Sequence, residues 1–220
     1  MNPFSSSIGR KYLMGIAGLV WTFFVLGHML GNLLILVSPE AYNAYGHAII
    51  TNKPLLYATE AALLLSILVH AGLGIRLSLD NKKANPNKYS VSGGKAKAAS
   101  FASKTMVWQG LLILAFVIYH LITFKYGEVY TVVYDGVEMR DLHRLIVEVF
   151  SSPLYVFGYI FCLILIGLHL SHGFGSAFQS LGFNHPKYTP TIKKISWIYG
   201  VIIAAGFIVQ PLYVYFIHQG

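Results

Sequence analysis

YLMGIAGLVWTFFVLGHMLGNLLILV, residues Tyr12 to Val37, lies in a stretch with no Asp, Glu, Lys or Arg between Lys11 and Glu40. A helix needs about 20 apolar residues to cross the roughly 30 Å hydrocarbon core of a bilayer, so this run is long enough to span one. Inside it stands His28. An imidazole at such depth is costly unless its ring finds a partner, so it is either hydrogen-bonded to a neighbouring helix or bound to a metal. The run exceeds the about 7–15-residue apolar region of a signal peptide and has no small-residue cleavage site, so it is expected to stay as the first span.

The rest of the chain has the same character. Of 220 residues, 55% are hydrophobic and only 11% charged. Soluble domains carry about 25% charged residues, so this composition points to an all-α polytopic membrane protein. Spans are expected over 13–37, 55–79, 104–124, 153–178 and 195–217, within a single domain of residues 1–220. Between them, Ser38–Pro54 reads as a connection with a short surface helix. Asp80–Ser103 is a polar, lysine-rich loop. The stretch carrying Glu128, Asp135 and Glu138 reads as a loop, and Asp141–Phe150 as an amphipathic piece. The net charge of +8 resides in these connections, where the positive-inside bias explains it and nucleic acid is rejected as a partner. The single cysteine, Cys162, lies in a span, which excludes an intrachain disulfide and a thiolate cluster.

Loop charge sets an expected orientation. Twelve of the 16 Lys and Arg residues, from Arg10 and Lys11 through Lys95 and Lys97 to Lys194, fall at the N-terminus and in the second–third and fourth–fifth connections. These should be cytoplasmic, with the C-terminus outside. Each of the first four spans then carries a histidine at a defined depth. His28 lies 15 residues along an outward helix from Leu13, about 23 Å from the inner face, and His70 lies as far along an inward helix from Leu55. His120 falls toward the outer end of the third span and His169 toward the inner end of the fourth. Two level pairs result: His28 with His120, and His70 with His169.

Paired imidazoles at one depth on different helices suit bis-histidine ligation of haem iron, and two haems b would lie roughly 15 Å apart in depth, surrounded by the first four spans. Gly74 and Gly173 each follow a histidine by four residues on the same helix face, where a missing side chain leaves room for a flat ring. A lone histidine in a span is more often a hydrogen-bonded interhelical residue; four at two matched depths are a stronger signal. His172 competes with His169 at this point, because the two are close in phase on one helix. His47, His143, His185 and His218 fall in connections or at the end, and Trp108 and Trp197 read as interfacial anchors.

With Ser7-Ile-Gly-Arg-Lys-Tyr-Leu-Met-Gly15 ahead of the first span, the histidine set, and His169-Leu-Ser-His172-Gly173 followed by Phe178-Gln-Ser-Leu-Gly182, the chain resembles the cytochrome b membrane-anchor subunit of succinate dehydrogenases and fumarate reductases, in its single-chain, five-helix, di-haem bacterial form. The resemblance implies His169 as the fourth-span ligand. It further implies a quinone site, menaquinone being the expected quinone, and residence in the bacterial cytoplasmic membrane. On the cytoplasmic side it implies a flavoprotein subunit and an iron–sulfur subunit that carry the succinate/fumarate chemistry, an assembly that could pair as a dimer of heterotrimers. Some relatives place a glutamate two residues before the fourth-span ligand in a proposed proton path. Gly167 stands there in this chain, so that path does not carry over.

Glu60, five residues into the second span and so about 7 Å from the outer face, is the one intramembrane acid toward that side. A carboxylate near the level of His28 and His120 would suit proton exchange with a quinone, while a snorkelling or hydrogen-bonded role fits the residue equally. A haem b subunit of another quinone-linked dehydrogenase, and a haem-free scaffold or transporter, are the competing functions.

Overall fold

The computed structural model describes residues 6–84 and 101–217. Lys88, Lys95, Lys97 and His218 lie outside the described residues. Helix α1, Ser7–Asn32, is capped by Ser6, whose Oγ accepts from Gly9 N at 3.0 Å, and continues as a 3-10 turn, Leu33–Leu36. Helix α3, Lys53–Ala84, runs back. Helix α4, Phe101–His120, runs on into a π turn, Leu121–Lys125, and helices α6, Pro153–Ser180, and α7, Thr189–Ile217, complete the long elements. Five helical segments, Ser7–Leu36, Lys53–Lys83, Thr105–Lys125, Pro153–Ser180 and Thr189–Ile217, are long and apolar enough to cross a membrane. This is a multi-pass membrane protein. The helices outrun the expected spans by up to six residues, because hydropathy marks the hydrocarbon and a helix continues past its edge until a cap stops it.

Antiparallel succession of these helices gives the molecule two ends. One, the N-terminal face, holds the start of α1 and the end of α3, joined by a 2.7 Å ion pair between the buried Arg10 and Asp80. The other carries three short elements. Helix α2, Pro39–Thr51, has Ser38 as its cap, accepting from Ala41 N at 3.0 Å, with Pro39 at its start and Glu40 in its first turn, all favourable at a helix N-terminus. Strands β1, Thr131–Tyr134, and β2, Val137–Arg140, form an antiparallel hairpin, and helix α5, Leu142–Phe150, follows with Asp141 Oδ1 accepting from Arg144 N. The hairpin corrects the expectation of a loop; the chain is otherwise helical. Its turn is Asp135-Gly136, with φ of 49° and 77°, the two left-handed residues that suit the twist of a two-residue hairpin. Asn43, fully buried, ties α2 to α5 by donating to Asp141 Oδ1 and accepting from His143 N, both at 2.9 Å.

Packing follows small residues rather than bulk. Helix α7 lies along α6, where a Cβ on Gly167 would sit 2.8 Å from Ala204 Cβ and 3.0 Å from Gly200 O, and one on Gly200 would collide with Gly167 O. Ser196 Oγ, buried beside them, donates to Ser171 O at 2.7 Å and accepts from Gly175 N at 2.9 Å. Close backbone approach through small residues is how helices associate where lipid removes the hydrophobic driving force. Helix α1 contacts α3, α6 and α7, and α6 contacts α4. The outward faces remain apolar, as at Leu154 (81% exposed) and Trp108 (71%). Such surfaces belong against acyl chains.

Candidate functional site

Two histidine pairs meet across four different helices. His28 of α1 and His120 of α4 have ring centroids 5.8 Å apart and planes at 86°; His70 of α3 and His169 of α6 stand 6.2 Å apart at 73°. The first pair is nearer the hairpin end and the second nearer the N-terminal face, as depth along the helices requires. Two imidazoles holding one metal from opposite sides, with metal–nitrogen bonds of about 2 Å and about 1 Å more from each nitrogen to its ring centre, stand about 6 Å apart. Packed aromatic rings share that spacing. Among the described residues no group of three or more His, Cys, Asp or Glu gathers around either pair. The chain thus offers two nitrogen ligands per site, and any metal there must bring its remaining ligands with it, as a macrocycle does.

The second pair is the more fully prepared. His70 Nδ1 lies 3.0 Å from Met14 O. A carbonyl only accepts, so Nδ1 carries the proton and Nε2 of the neutral ring keeps its lone pair, the tautomer a metal-binding imidazole needs. Room for this ring comes from Gly18: a Cβ there would lie 2.9 Å from His70 Cε1. His169 Nδ1 is buried with no hydrogen bond. His172, three residues on, points elsewhere, its Nε2 3.2 Å from Ser176 Oγ. The structure therefore brings His169, not His172, to His70.

At the first pair His28 is flanked by Phe24, stacked at 5.3 Å, and by Phe207. Its helix neighbour Asn32 donates to His28 O at 2.8 Å, approaches His28 Nδ1 at 3.3 Å, and accepts from Tyr42 Oη at 2.8 Å. Burial, then the nearby Tyr45, push the Tyr42 hydroxyl's pKa up, so it stays a donor. His120 Nδ1 is buried without a hydrogen bond, among Phe116, Phe124 and Tyr159. One imidazole nitrogen in each pair, His120 Nδ1 and His169 Nδ1, is thus buried without a hydrogen bond, which buried polar atoms seldom are.

The glycines expected to leave space beside the second pair face methionines: a Cβ on Gly74 would be 3.8 Å from Met14 Sδ, and one on Gly173 3.7 Å from Met106 Cε. Glu60 forms an ion pair with Lys125, each side chain a little over one-third exposed. Lys125 ends the π turn that starts directly after His120, so Glu60 lies toward the hairpin end. Its cationic partner was not part of the sequence reading. Asn32, Tyr42 and Gly18 were also missed; an Asn four residues beyond a membrane histidine was the available signal for the first two.

No protein-family model matches the chain, and no curated protein or solved structure is significantly similar to it.

Proposed function

We propose that this chain is a di-haem cytochrome b membrane anchor, carrying electrons between an iron–sulfur subunit on the cytoplasmic side and a membrane quinone. The observation that carries the reading is the meeting of His28 with His120 and of His70 with His169, in two pairs on four helices at two depths. His28 with His120, and His70 with His169, would each hold one b-type haem, which would supply one-electron transfer. The first four long helices would enclose the two groups. His70 would be held by Met14 O in the ligating tautomer, and His28 would be steadied through Asn32 and Tyr42. The apolar surroundings would exclude water from both. Glu60 keeps its proposed proton-exchange role toward quinone, with Lys125 as its counter-ion. The N-terminal face, rich in Lys and Arg, is proposed to be cytoplasmic in a bacterial inner membrane and to receive the iron–sulfur and flavoprotein subunits.

The test is an absorption spectrum and haemochrome quantitation of the purified chain and its variants. Two haems are expected. His70→Ala or His169→Ala should each leave one, as should His28→Ala or His120→Ala, and His172→Ala should keep both. A haem-free preparation from haem-sufficient cells would leave the scaffold reading, in which the imidazoles merely pack. Haem without a copurifying flavoprotein would favour another dehydrogenase.

A further inference from the structure

The histidine pairs leave one polar cluster over. His172 of α6 has its Nε2 3.2 Å from Ser176 Oγ, and the charge of Lys193, on the facing helix α7, acts on the same ring. The packed seam of α6 and α7 puts the lysine there. Ser196, three residues on from Lys193, accepts from Gly175 N and donates to Ser171 O, and Ile192 Cγ2 would lie 3.9 Å from a Cβ on Gly175. His172 and Ser176 are half-buried and Lys193 is exposed. The cluster looks outward: Leu154, Phe161 and Leu168 precede His172 on the same side of α6, and all three are exposed. That side faces acyl chains, where polar groups are costly unless something polar meets them. Trp197, 62% exposed one turn beyond Lys193, sits as an aromatic anchor at the membrane–water boundary. The protein supplies no anion for Lys193. Of the chain's eight Asp and Glu, only Asp80 falls at the N-terminal face, and Arg10 already pairs with it.

We propose that His172, Ser176 and Lys193 hold the headgroup phosphate of an acidic phospholipid at the seam of α6 and α7, on the rim of the N-terminal face. Phosphate oxygens only accept hydrogen bonds. A neutral imidazole and a hydroxyl own one polar hydrogen each, so the bond they share uses one and leaves the other to donate. Lys193 adds a point charge with three donors. The acyl chains then lie along Leu168 and Phe161. A zwitterionic lipid brings its own cation, so Lys193 favours a headgroup with net negative charge. The site is on the flank of the bundle rather than its end, and subunits received at the N-terminal face leave it open to lipid. It goes beyond the electron-carrier reading and would form equally in a haem-free chain.

The experiment is native mass spectrometry of the full chain in detergent, titrated with phosphatidylglycerol or with phosphatidylcholine of the same acyl chains. One tightly held phosphatidylglycerol is expected, and excess inorganic phosphate should not displace it. Lys193→Gln should weaken it about fivefold, the effect of one lysine near an anionic headgroup. His172→Phe keeps a ring and removes the donor, and should weaken it about tenfold, the scale of one hydrogen bond to a charged group. Lys83→Gln, at an exposed lysine of the same end on α3, should leave it unchanged. Equal binding of the two lipids, a loss in Lys83→Gln as large as in Lys193→Gln, displacement by inorganic phosphate, or unchanged binding in both cluster variants would overturn the site. Haem content, read on the same samples, separates the two claims. Two haems without lipid selectivity sink the lipid site alone, and selective binding by a haem-free chain sinks the electron-carrier reading alone.

Discussion

Adding one methyl group at Gly18 probes how the His70–His169 pair is held. A Cβ there would lie 2.9 Å from His70 Cε1 and 3.0 Å from Nδ1. Carbon atoms in good contact stand about 3.5–4.0 Å apart, so the ring must retreat by roughly 0.5–1 Å. That retreat stretches the hydrogen bond to Met14 O, now 3.0 Å. Losing such a bond costs about 0.5–1.5 kcal/mol. Overpacking a filled contact costs about 1–3 kcal/mol more, and the better helix propensity of alanine returns about 1 kcal/mol. Gly18→Ala should therefore be destabilised by about 0.5–3.5 kcal/mol on these figures. Two other glycines calibrate the result. A Cβ on Gly27 would meet nothing within 4 Å, and one on Gly110 would lie 3.6 Å from His169 Cε1, an ordinary contact. Gly27→Ala and Gly110→Ala should melt at or above the parent temperature in detergent. Gly18→Ala should melt below it and, on the di-haem proposal, lose the haem of the second pair while keeping that of the first. Equal melting of Gly18→Ala and Gly27→Ala, with equal cofactor content, would refute the close approach of His70 to α1.

Two further outcomes follow from the helix ends and contacts. Gly167→Glu should destabilise the chain and loosen α7, because even a Cβ there lies 2.8 Å from Ala204 Cβ; a variant with parental melting temperature would contradict this. Arg140→Ala should cost about 1–3 kcal/mol, since three backbone carbonyls share its guanidinium, and should speed amide exchange at the end of α4. Exchange no faster than the parent's would show that the hairpin is not a clamp.

The five spans were legible because a charge-free run of membrane length has few other homes. The histidine pairing was legible for a related reason: with a fixed rise per residue and alternating helix direction, sequence position alone gives depth. Azimuth is different. Whether His169 or His172 turns toward α3 depends on where neighbouring helices can approach, and that is set by single small residues such as Gly18 against His70 and Gly200 against Gly167. No periodicity reports those contacts. The hairpin escaped because its charges, Glu128, Asp135 and Glu138, read as a solvated loop, although Asp135-Gly136 between TVVY and VEMR carried a hairpin signal. Lys125 was read as the edge of a span, so its capture of Glu60 across helices could not be seen.

The end of α4 brings these missed features together. Directly after His120 the helix widens into the π turn Leu121–Lys125, closed by Tyr126 N donating to Leu121 O at 3.0 Å. Widening the turn spoils the regular ladder and leaves carbonyls short of donors, an arrangement that needs support from outside the helix. Support comes from three directions. Arg140 of β2 donates to Phe124 O at 3.0 Å and Glu128 O at 3.1 Å. Glu60 of α3 draws in the Lys125 ammonium. Phe124 packs on Phe150 of α5 and on Tyr159 of α6, with ring centroids 5.9 Å apart in each contact. Gly127 permits the exit, since any Cβ there would collide with Thr123 O. Hairpin, ion pair and aromatic cluster are thus one device seen from three sides, and what they hold still is the helix end that carries His120. A sequence reading that took Glu60 by itself as a chemical group met only one third of it.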